Sequence, residues 1–165
     1  MSSSRIFLYF AYGSNLSQNR IRQNCPSARR KTLAKLENYR LDFITFASGW
    51  NGAIATIVPH RDLEVWGAIW EINLDDLARL DCQEGVHNNM YYPLDVDVIL
   101  MDDSKLTCRT YIQTVVPNFF HDIKKLPMNR RPSRRYLKTI LEGAMESGIT
   151  GKYMNFLKTI PHNEI

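Results

Sequence analysis

The sequence predicts an α+β fold in which a mixed or mostly antiparallel sheet, able to curl into a barrel, is accompanied by helices. Strand-like stretches follow one another as meandering neighbours, and the helical stretches stand between or after them instead of alternating with every strand. The chain has 165 residues, 44% of them hydrophobic and 23% charged, as in an ordinary globular protein. No linker, repeat or low-complexity tract divides it, so residues 1–165 are expected to form a single domain.

Hydrophobic periodicity and turn residues give the order of the elements. Strands are expected at 6–12, 32–47, 53–58, 64–72, 91–101 and 106–116. Helices are expected at 16–23, from Asn73 to Gln83, from a cap at Ser133 to Ser147, and at 150–160. In this scheme Pro59–Asp62 is a turn that pairs 53–58 with 64–72. Asn73 and Asp76 form a capping-box-like pair, and Gly85 ends the helix.

The first strand ends in a turn that could bind an anion. The apolar run Ile6–Tyr12 is followed by Gly13-Ser14-Asn15 and then by a short helix. A strand that passes through a glycine turn into a helix aims several backbone N–H groups at one point, which suits an anion or a developing oxyanion. An ordinary strand–turn–helix junction would give the same pattern. The turn is neither a phosphate-binding loop nor a nucleophile elbow, so a nucleotide site and a nucleophilic Ser14 are not expected.

Glu84 is the candidate acid or base. It lies at a helix end, before Gly85, and the partial negative charge of a helix C-terminus together with burial would raise its pKa. A carboxyl tuned in this way can take and return a proton near neutral pH. Asp81 lies three residues earlier and would share a face with Glu84. Two surface carboxylates near a helix end would give the same sequence pattern.

A cluster of arginines surrounds the start of the next long helix. The cluster consists of Arg130, Arg131, Arg134 and Arg135, with Tyr136 just inside the helix. Such a cluster can bind phosphate or a carboxylate, although a solvated helix start is also consistent with it. Tyr136 could reach a cleft or lie in the core. The net charge of +4 is modest and no nucleic-acid motif is present, so no nucleic-acid partner is expected.

The cysteines and the apolar runs define the expected compartment. Cys25, Cys82 and Cys108 are widely spaced and show neither metal-ligand spacing nor a disulfide framework, which favours a reducing compartment. No apolar run reaches the roughly 18 residues of a membrane span. We therefore expect a cytoplasmic protein without a metal ion and without membrane contact.

Several segments match one known family. The most specific are Y-G-S-N-L at 12–16 and Q-E-G-V at 83–86. The matching segments are 9–16, 24–28, 52–57, 64–67, 80–86, 107–109 and the helix start at 132–136. On these residues the sequence resembles the γ-glutamylcyclotransferase family over nearly its whole length. Asn51-Gly52-Ala53 replaces a more glycine-rich stretch of that family, which touches the expected pocket wall only.

The resemblance implies a fold, a reaction and a set of site residues. The fold would be a small mixed β-barrel with surrounding helices. The reaction would convert a γ-glutamyl amino acid, a dipeptide of glutathione metabolism, to 5-oxoproline and a free amino acid without a metal or cofactor. Glu84 would be the acid/base, and the substrate would contact Tyr9, Phe10, Ala11, Tyr12, Gly13, Ser14 and Tyr136. A homodimer is one option for the oligomeric state.

Other functions are also consistent with the sequence. A related cyclotransferase could act on γ-glutamyl-ε-lysine or on glutathione, although Asn15 after Y-G-S favours γ-glutamyl amino acids. A non-enzymatic module on the same fold could bind a small ligand or a protein partner, but the intact Glu84 and the intact turn argue against it. Whether amides near Gly13 and Ser14 would face the γ-carbonyl oxygen or the α-carboxylate is also open.

Overall fold

Five strands close into a barrel in a computed structural model that describes residues 5–117 and 120–165. The strands are β1 (Ile6–Ala11), β2 (Arg29–Ala47), β3 (Gly52–Asn73), β4 (Tyr91–Ile99) and β5 (Lys105–Gln113), arranged in the order β1-β3-β2-β4-β5. β1 is antiparallel to β3 and closes the barrel through a parallel contact with β5 at Tyr9 and Arg109. The predicted α+β fold with a curled, mixed sheet is confirmed.

The turn predicted at Pro59–Asp62 is wrong, because β3 runs through it. Both halves of β3 pair with β2, with Pro59 opposite Tyr39 and Glu64 opposite Glu37, so the predicted pairing of 53–58 with 64–72 does not form. The turn-favouring residues occupy an irregularity in the ladder, where Asp62 adopts a φ of 67° and its N–H donates to the Asn38 side chain at 3.1 Å. Residues that are typical of a hairpin turn are thus accommodated in a bulge of a continuous strand.

Four α-helices surround the barrel in the described part of the chain. They are α1 (Gln18–Arg22), α2 (Leu77–Gln83), α3 (Arg134–Glu146) and α4 (Gly151–Lys158). Short 3-10 turns lie at Ser14–Leu16, Leu74–Asp76, Val86–Asn88, Ile123–Lys125 and Met128–Arg130. No helix among the described residues is long and apolar enough to cross a membrane.

The helix caps follow the sequence at α3 but not at α2. Ser133 caps α3 as predicted, its hydroxyl accepting from the N–H of Tyr136 at 3.2 Å. The predicted capping pair at Asn73 and Asp76 is wrong, because neither side chain caps its helix. Asp76 is buried and instead accepts the N–H of Ser27 at 3.2 Å, since a distant segment satisfies this carboxylate better than the local helix end does.

α3 packs directly on the turn that follows β1. At Gly143 a β-carbon would lie 2.5 Å from the carbonyl carbon of Leu16, a distance that no side chain can occupy. Glycine is therefore required for the close approach of helix and turn. This contact fixes the turn relative to α3, which also carries Tyr136.

Candidate active site

A cavity of about 400 Å³ opens where the end of β1, the end of α2 and the start of α3 meet. Six of the eight predicted site residues lie in its wall: Tyr9, Tyr12, Gly13, Ser14, Glu84 and Tyr136. Phe10 and Ala11 lie outside the wall and are fully buried in the core. Successive side chains of a strand point to opposite faces, and the Phe10 carbonyl is used by the Thr110 hydroxyl at 2.8 Å.

Glu84 stands at the C-terminal end of α2, as the sequence predicted. Its N–H donates to the Leu80 carbonyl at 3.0 Å, and Gly85 follows in the left-handed conformation with φ of 66°. A β-carbon on Gly85 would meet the Met90 side chain at 2.9 Å, so glycine is needed here for both conformation and space. The turn at Gly85 sends the chain away and leaves the half-buried Glu84 side chain facing the cavity.

The Glu84 carboxylate is held by residues from β1 and its turn. The amide nitrogen of Asn15 donates to Oε1 at 3.2 Å, and the Tyr9 hydroxyl donates to the same oxygen at 3.5 Å. Asn15 also donates to the Tyr9 oxygen at 3.1 Å and accepts from Gln83 at 2.9 Å. Because both ends of the Asn15 amide are engaged, its nitrogen is fixed toward the carboxylate.

Burial raises the pKa of Glu84 from 4.5 to about 7. The positive charge of Arg20 and the hydrogen bond from Tyr9 oppose this increase, and the negative charge of Asp81 adds to it. A carboxyl with this pKa is divided between its two protonation states near neutral pH. It can therefore accept a proton and later donate it.

Asp81 is turned away from the cavity. One of its oxygens accepts from Arg109 at 2.8 Å and also from the Tyr111 hydroxyl. These partners come from β5 and leave that oxygen of Asp81 engaged. The predicted acidic pair therefore resolves into one carboxylate that faces the cavity and one that anchors α2 to the barrel.

Tyrosines from β4 and α3 line the opposite wall and meet at Ala55. The Tyr136 oxygen accepts the N–H of Ala55 at 2.8 Å, and the Tyr91 hydroxyl donates to the Ala55 carbonyl. Burial raises the pKa of both tyrosines, so both keep their protons at neutral pH. The Tyr136 hydroxyl accepts from Ala55 and donates to no acceptor among the described residues, so its proton is available to a ligand.

Three arginines of the cluster at the start of α3, for which an anion site and a solvated helix start were both considered, make hydrogen bonds away from the cavity. Arg130 pairs with Asp42 at 2.8 Å, Arg131 donates to the Leu126 carbonyl at 2.7 Å, and Arg135 donates to the Gly49 carbonyl at 2.5 Å. These bonds tie the segment before α3 to β2 and to the 48–51 loop. The one cation in the described wall of the cavity is Arg20, from α1.

Several residues of the wall were not assigned to the site from the sequence, among them Asn15, Arg20, Trp50 and Tyr91. Asn15 carried a usable signal, because it belongs to the turn that was singled out. The other three reach the cavity only through the packing of distant elements. No group of three or more His, Cys, Asp or Glu side chains is placed to hold a metal ion within the ranges 5–117 and 120–165.

Comparisons with known proteins identify one family. Residues 64–157 match the model of the AIG2-like family. The chain is 39% identical over 162 residues to γ-glutamylcyclotransferase from Bos taurus and 39% identical to that from Homo sapiens, each alignment covering 96% of this chain and 80% of the relative. A solved γ-glutamyl cyclotransferase superposes with a TM-score of 0.88 at 37% identity, covering 98% of this chain and 91% of that one.

The family match places this barrel, with Glu84 as the one carboxylate in the described wall of its cavity, in the AIG2-like class. Within that class the chain belongs to the γ-glutamylcyclotransferase family. This confirms the resemblance drawn from the segments around Gly13 and Glu84.

Proposed function

We propose that this enzyme converts γ-glutamyl amino acids to 5-oxoproline and a free amino acid, with Glu84 as general acid/base. The observation that carries the proposal is the Glu84 carboxyl, whose pKa is raised to about 7 in a cavity that it shares with the Gly13–Ser14 turn. The matched γ-glutamylcyclotransferases support the substrate class.

Glu84 takes a proton from the substrate's α-amino group. The freed amine attacks the γ-carbonyl carbon, and a five-membered lactam ring closes as the new C–N bond forms. The old C–N bond to the second amino acid then breaks. Glu84 delivers this proton to the departing nitrogen, and the ring nitrogen loses its second surplus proton through the same carboxylate to that nitrogen, which leaves as an ammonium group. The carboxyl thus returns to its starting state and no other reactant is consumed.

The turn after β1 supplies polarising groups. No hydrogen bond between described residues uses the N–H of Gly13 or Ser14, so both are free for a ligand. We propose that they hold the γ-carbonyl oxygen as negative charge develops there, or the substrate's α-carboxylate. Gly13 brings its backbone close to the cavity, since a β-carbon there would lie 3.2 Å from Cβ of Ala55 and 3.6 Å from the Tyr136 hydroxyl.

Ring closure within one molecule needs little chemical machinery. A cavity of about 400 Å³ suits a dipeptide and can hold it in a folded conformation. Well-oriented intramolecular reactions reach effective molarities of about 10⁵ M or more. One base and a few directed donors are therefore sufficient for the reaction.

The proposal also covers the domain organisation, the cellular location and the oligomeric state of the enzyme. We propose that residues 1–165 act as one domain in the cytoplasm, within glutathione metabolism, and that the protein forms a homodimer. The three cysteines are unpaired, as is usual in a reducing compartment. Sedimentation of the purified protein measures the oligomeric state directly.

A substrate panel tests the proposed function. 5-Oxoproline release is measured from γ-glutamyl-alanine, γ-glutamyl-ε-lysine and glutathione at equal concentrations. The highest kcat/KM is expected for γ-glutamyl-alanine. A preference for γ-glutamyl-ε-lysine or glutathione would assign the enzyme to another substrate, and turnover of none of the three would overturn the proposal.

A further inference from the structure

Arg20 is a cation of the cavity wall without an ion-pair partner in the part of the chain that the structure describes. Its guanidinium lies 5.5 Å from the centre of the Trp50 ring, and its Nε atom is buried without a hydrogen-bond partner. The terminal nitrogen Nη1 donates to the neutral Gln23 side chain at 3.1 Å. Arg20 takes part in none of the ion pairs between described residues, whereas Arg109 and Arg130 each pair with an aspartate at 2.8 Å.

The positive charge of Arg20 influences Glu84 and Tyr136 electrostatically, without a direct contact. It lowers the pKa of Glu84 and of Tyr136, against the effect of burial. A γ-glutamyl amino acid carries two carboxylates and one ammonium group. Glu84 complements the ammonium group, and Arg20 is the side chain in the described wall that can complement a carboxylate.

The position of Arg20 distinguishes between the two carboxylates. Tyr9 and Asn15, which hold Glu84, are each only 4% exposed, so the carboxylate rests against a buried part of the wall. Arg20 shares the Trp50 ring with the exposed Arg135, whose guanidinium lies 4.6 Å from the ring centre. The exposed Gly49, next to Trp50 in the chain, also lines the cavity, so the wall reaches solvent beside Arg20.

The chemistry of the substrate orients it between Glu84 and Arg20. The α-amine must lie at Glu84, and the α-carboxylate, attached to the same carbon, stays beside it. The leaving amino acid is on the far side of the γ-carbonyl. Its carboxylate is therefore the one that extends away from Glu84, toward the part of the wall that Arg20 and Trp50 form.

We propose that Arg20, held against Trp50, binds the α-carboxylate of the leaving amino acid and so selects substrates whose leaving group is a free α-amino acid. The inference rests on the proposed function. In γ-glutamyl-ε-lysine the leaving group's carboxylate is separated from the reacting bond by the whole lysine side chain. In glutathione the corresponding carboxyl is an amide. Arg20 discriminates against both substrates because neither has a leaving-group carboxylate at the position that Arg20 contacts. The size of the cavity is not the cause of this discrimination.

A matched pair of substrates tests this role. γ-Glutamyl-alanine and γ-glutamyl-alaninamide differ only in the leaving group's carboxylate, and the ratio of their kcat/KM values is compared between wild type and Arg20→Gln. We expect the wild type to prefer the free acid by about tenfold or more, the usual effect of a charge-assisted hydrogen bond, and Arg20→Gln to bring the ratio near one. Any change that Arg20→Gln causes in the pKa of Glu84 affects both substrates and cancels in the ratio.

Two further variants complete the experiment. Arg20→Lys keeps the charge and should keep part of the preference, while Arg135→Gln, which also removes a guanidinium from the Trp50 ring but lies outside the cavity wall, should leave the ratio unchanged. A wild type without preference, an unchanged ratio in Arg20→Gln, or a ratio abolished by Arg135→Gln would overturn the assignment while leaving the proposed function intact. Absence of 5-oxoproline from both substrates with the wild type would overturn the proposed function and this inference together.

Discussion

The side-chain amide of Asn15 lies 3.2 Å from the Glu84 carboxylate, although 69 residues separate the two in the sequence. The first residue belongs to the turn after β1 and the second to the end of α2. The same amide nitrogen contacts the Tyr9 hydroxyl, and its oxygen accepts from Gln83 at 2.9 Å. The turn that faces the substrate is thereby coupled to the group that moves the proton.

The pH dependence of the reaction should report Glu84. Burial raises the pKa of this carboxyl to about 7, and only its ionised form can accept the substrate's proton. We expect kcat/KM to fall about tenfold per pH unit below that value. Initial rates of 5-oxoproline release between about pH 5 and pH 9 measure the profile. An inflection near 4.5, the ordinary value for this group, would contradict the assignment.

Asn15→Asp should move this inflection to higher pH. The substitution places a second carboxylate next to Glu84 and replaces a hydrogen bond by like-charge repulsion, which disfavours ionisation. We expect a shift of about one pH unit or more, with activity at pH 7 reduced and partly recovered in alkaline buffer. Asn24→Asp is the matched control, because Asn24 contacts Gln83 at 2.9 Å and not the carboxylate. Equal profiles for the two variants would contradict the role of Asn15.

Gly13→Val should raise KM. A β-carbon at this position would already lie 3.2 Å from Cβ of Ala55, and the two methyl groups of valine would extend into the cavity. We expect KM to rise about tenfold or more and Gly13→Ala to have an intermediate effect, because a misplaced substrate loses affinity and alignment. Gly49→Ala is the control, since Gly49 lines the same cavity but a β-carbon there meets nothing within 4 Å. Unchanged kinetics for Gly13→Val would show that the substrate binds away from the turn.

Gly143→Ala should destabilise the protein, contrary to the usual effect of this exchange inside a helix. Alanine normally favours a helix by up to about 1 kcal/mol relative to glycine. Here the new β-carbon would lie 2.5 Å from the Leu16 carbonyl carbon, and relieving such overlap costs about 1–3 kcal/mol. Urea unfolding measures the loss of stability. A more stable Gly143→Ala protein would show that α3 does not pack on the turn as closely as described.

The features that the sequence predicted correctly are the local ones. The position of Glu84 before Gly85 and the cap at Ser133 depend on residues within a few positions of each other. Short-range hydrogen bonds and φ preferences decide such features.

The features that sequence reasoning did not reach depend on distant partners. Asp81 turns away from the cavity because Arg109 and Tyr111 of β5 satisfy it. The strand β3 continues through Pro59–Asp62 because β2 supplies a partner along both halves. Nothing near Arg20 in the sequence indicates that α1 directs it beside Trp50.

The proposed reaction depends on proton transfer by Glu84. The most direct measurement compares 5-oxoproline release from γ-glutamyl-alanine by wild type and Glu84→Gln. The Glu84→Gln protein should fold well, because the buried site disfavours the charged form of Glu84. Because the pKa of Glu84 is higher in the folded protein, protonation of this carboxyl favours the folded state. This contribution to stability is fully present below pH 4.5 and is lost as the pH rises through about 7. Above pH 7 the variant should therefore resist urea at least as well as wild type. We expect its kcat to fall about a hundredfold or more. A folded Glu84→Gln protein with near-wild-type turnover would contradict the claim.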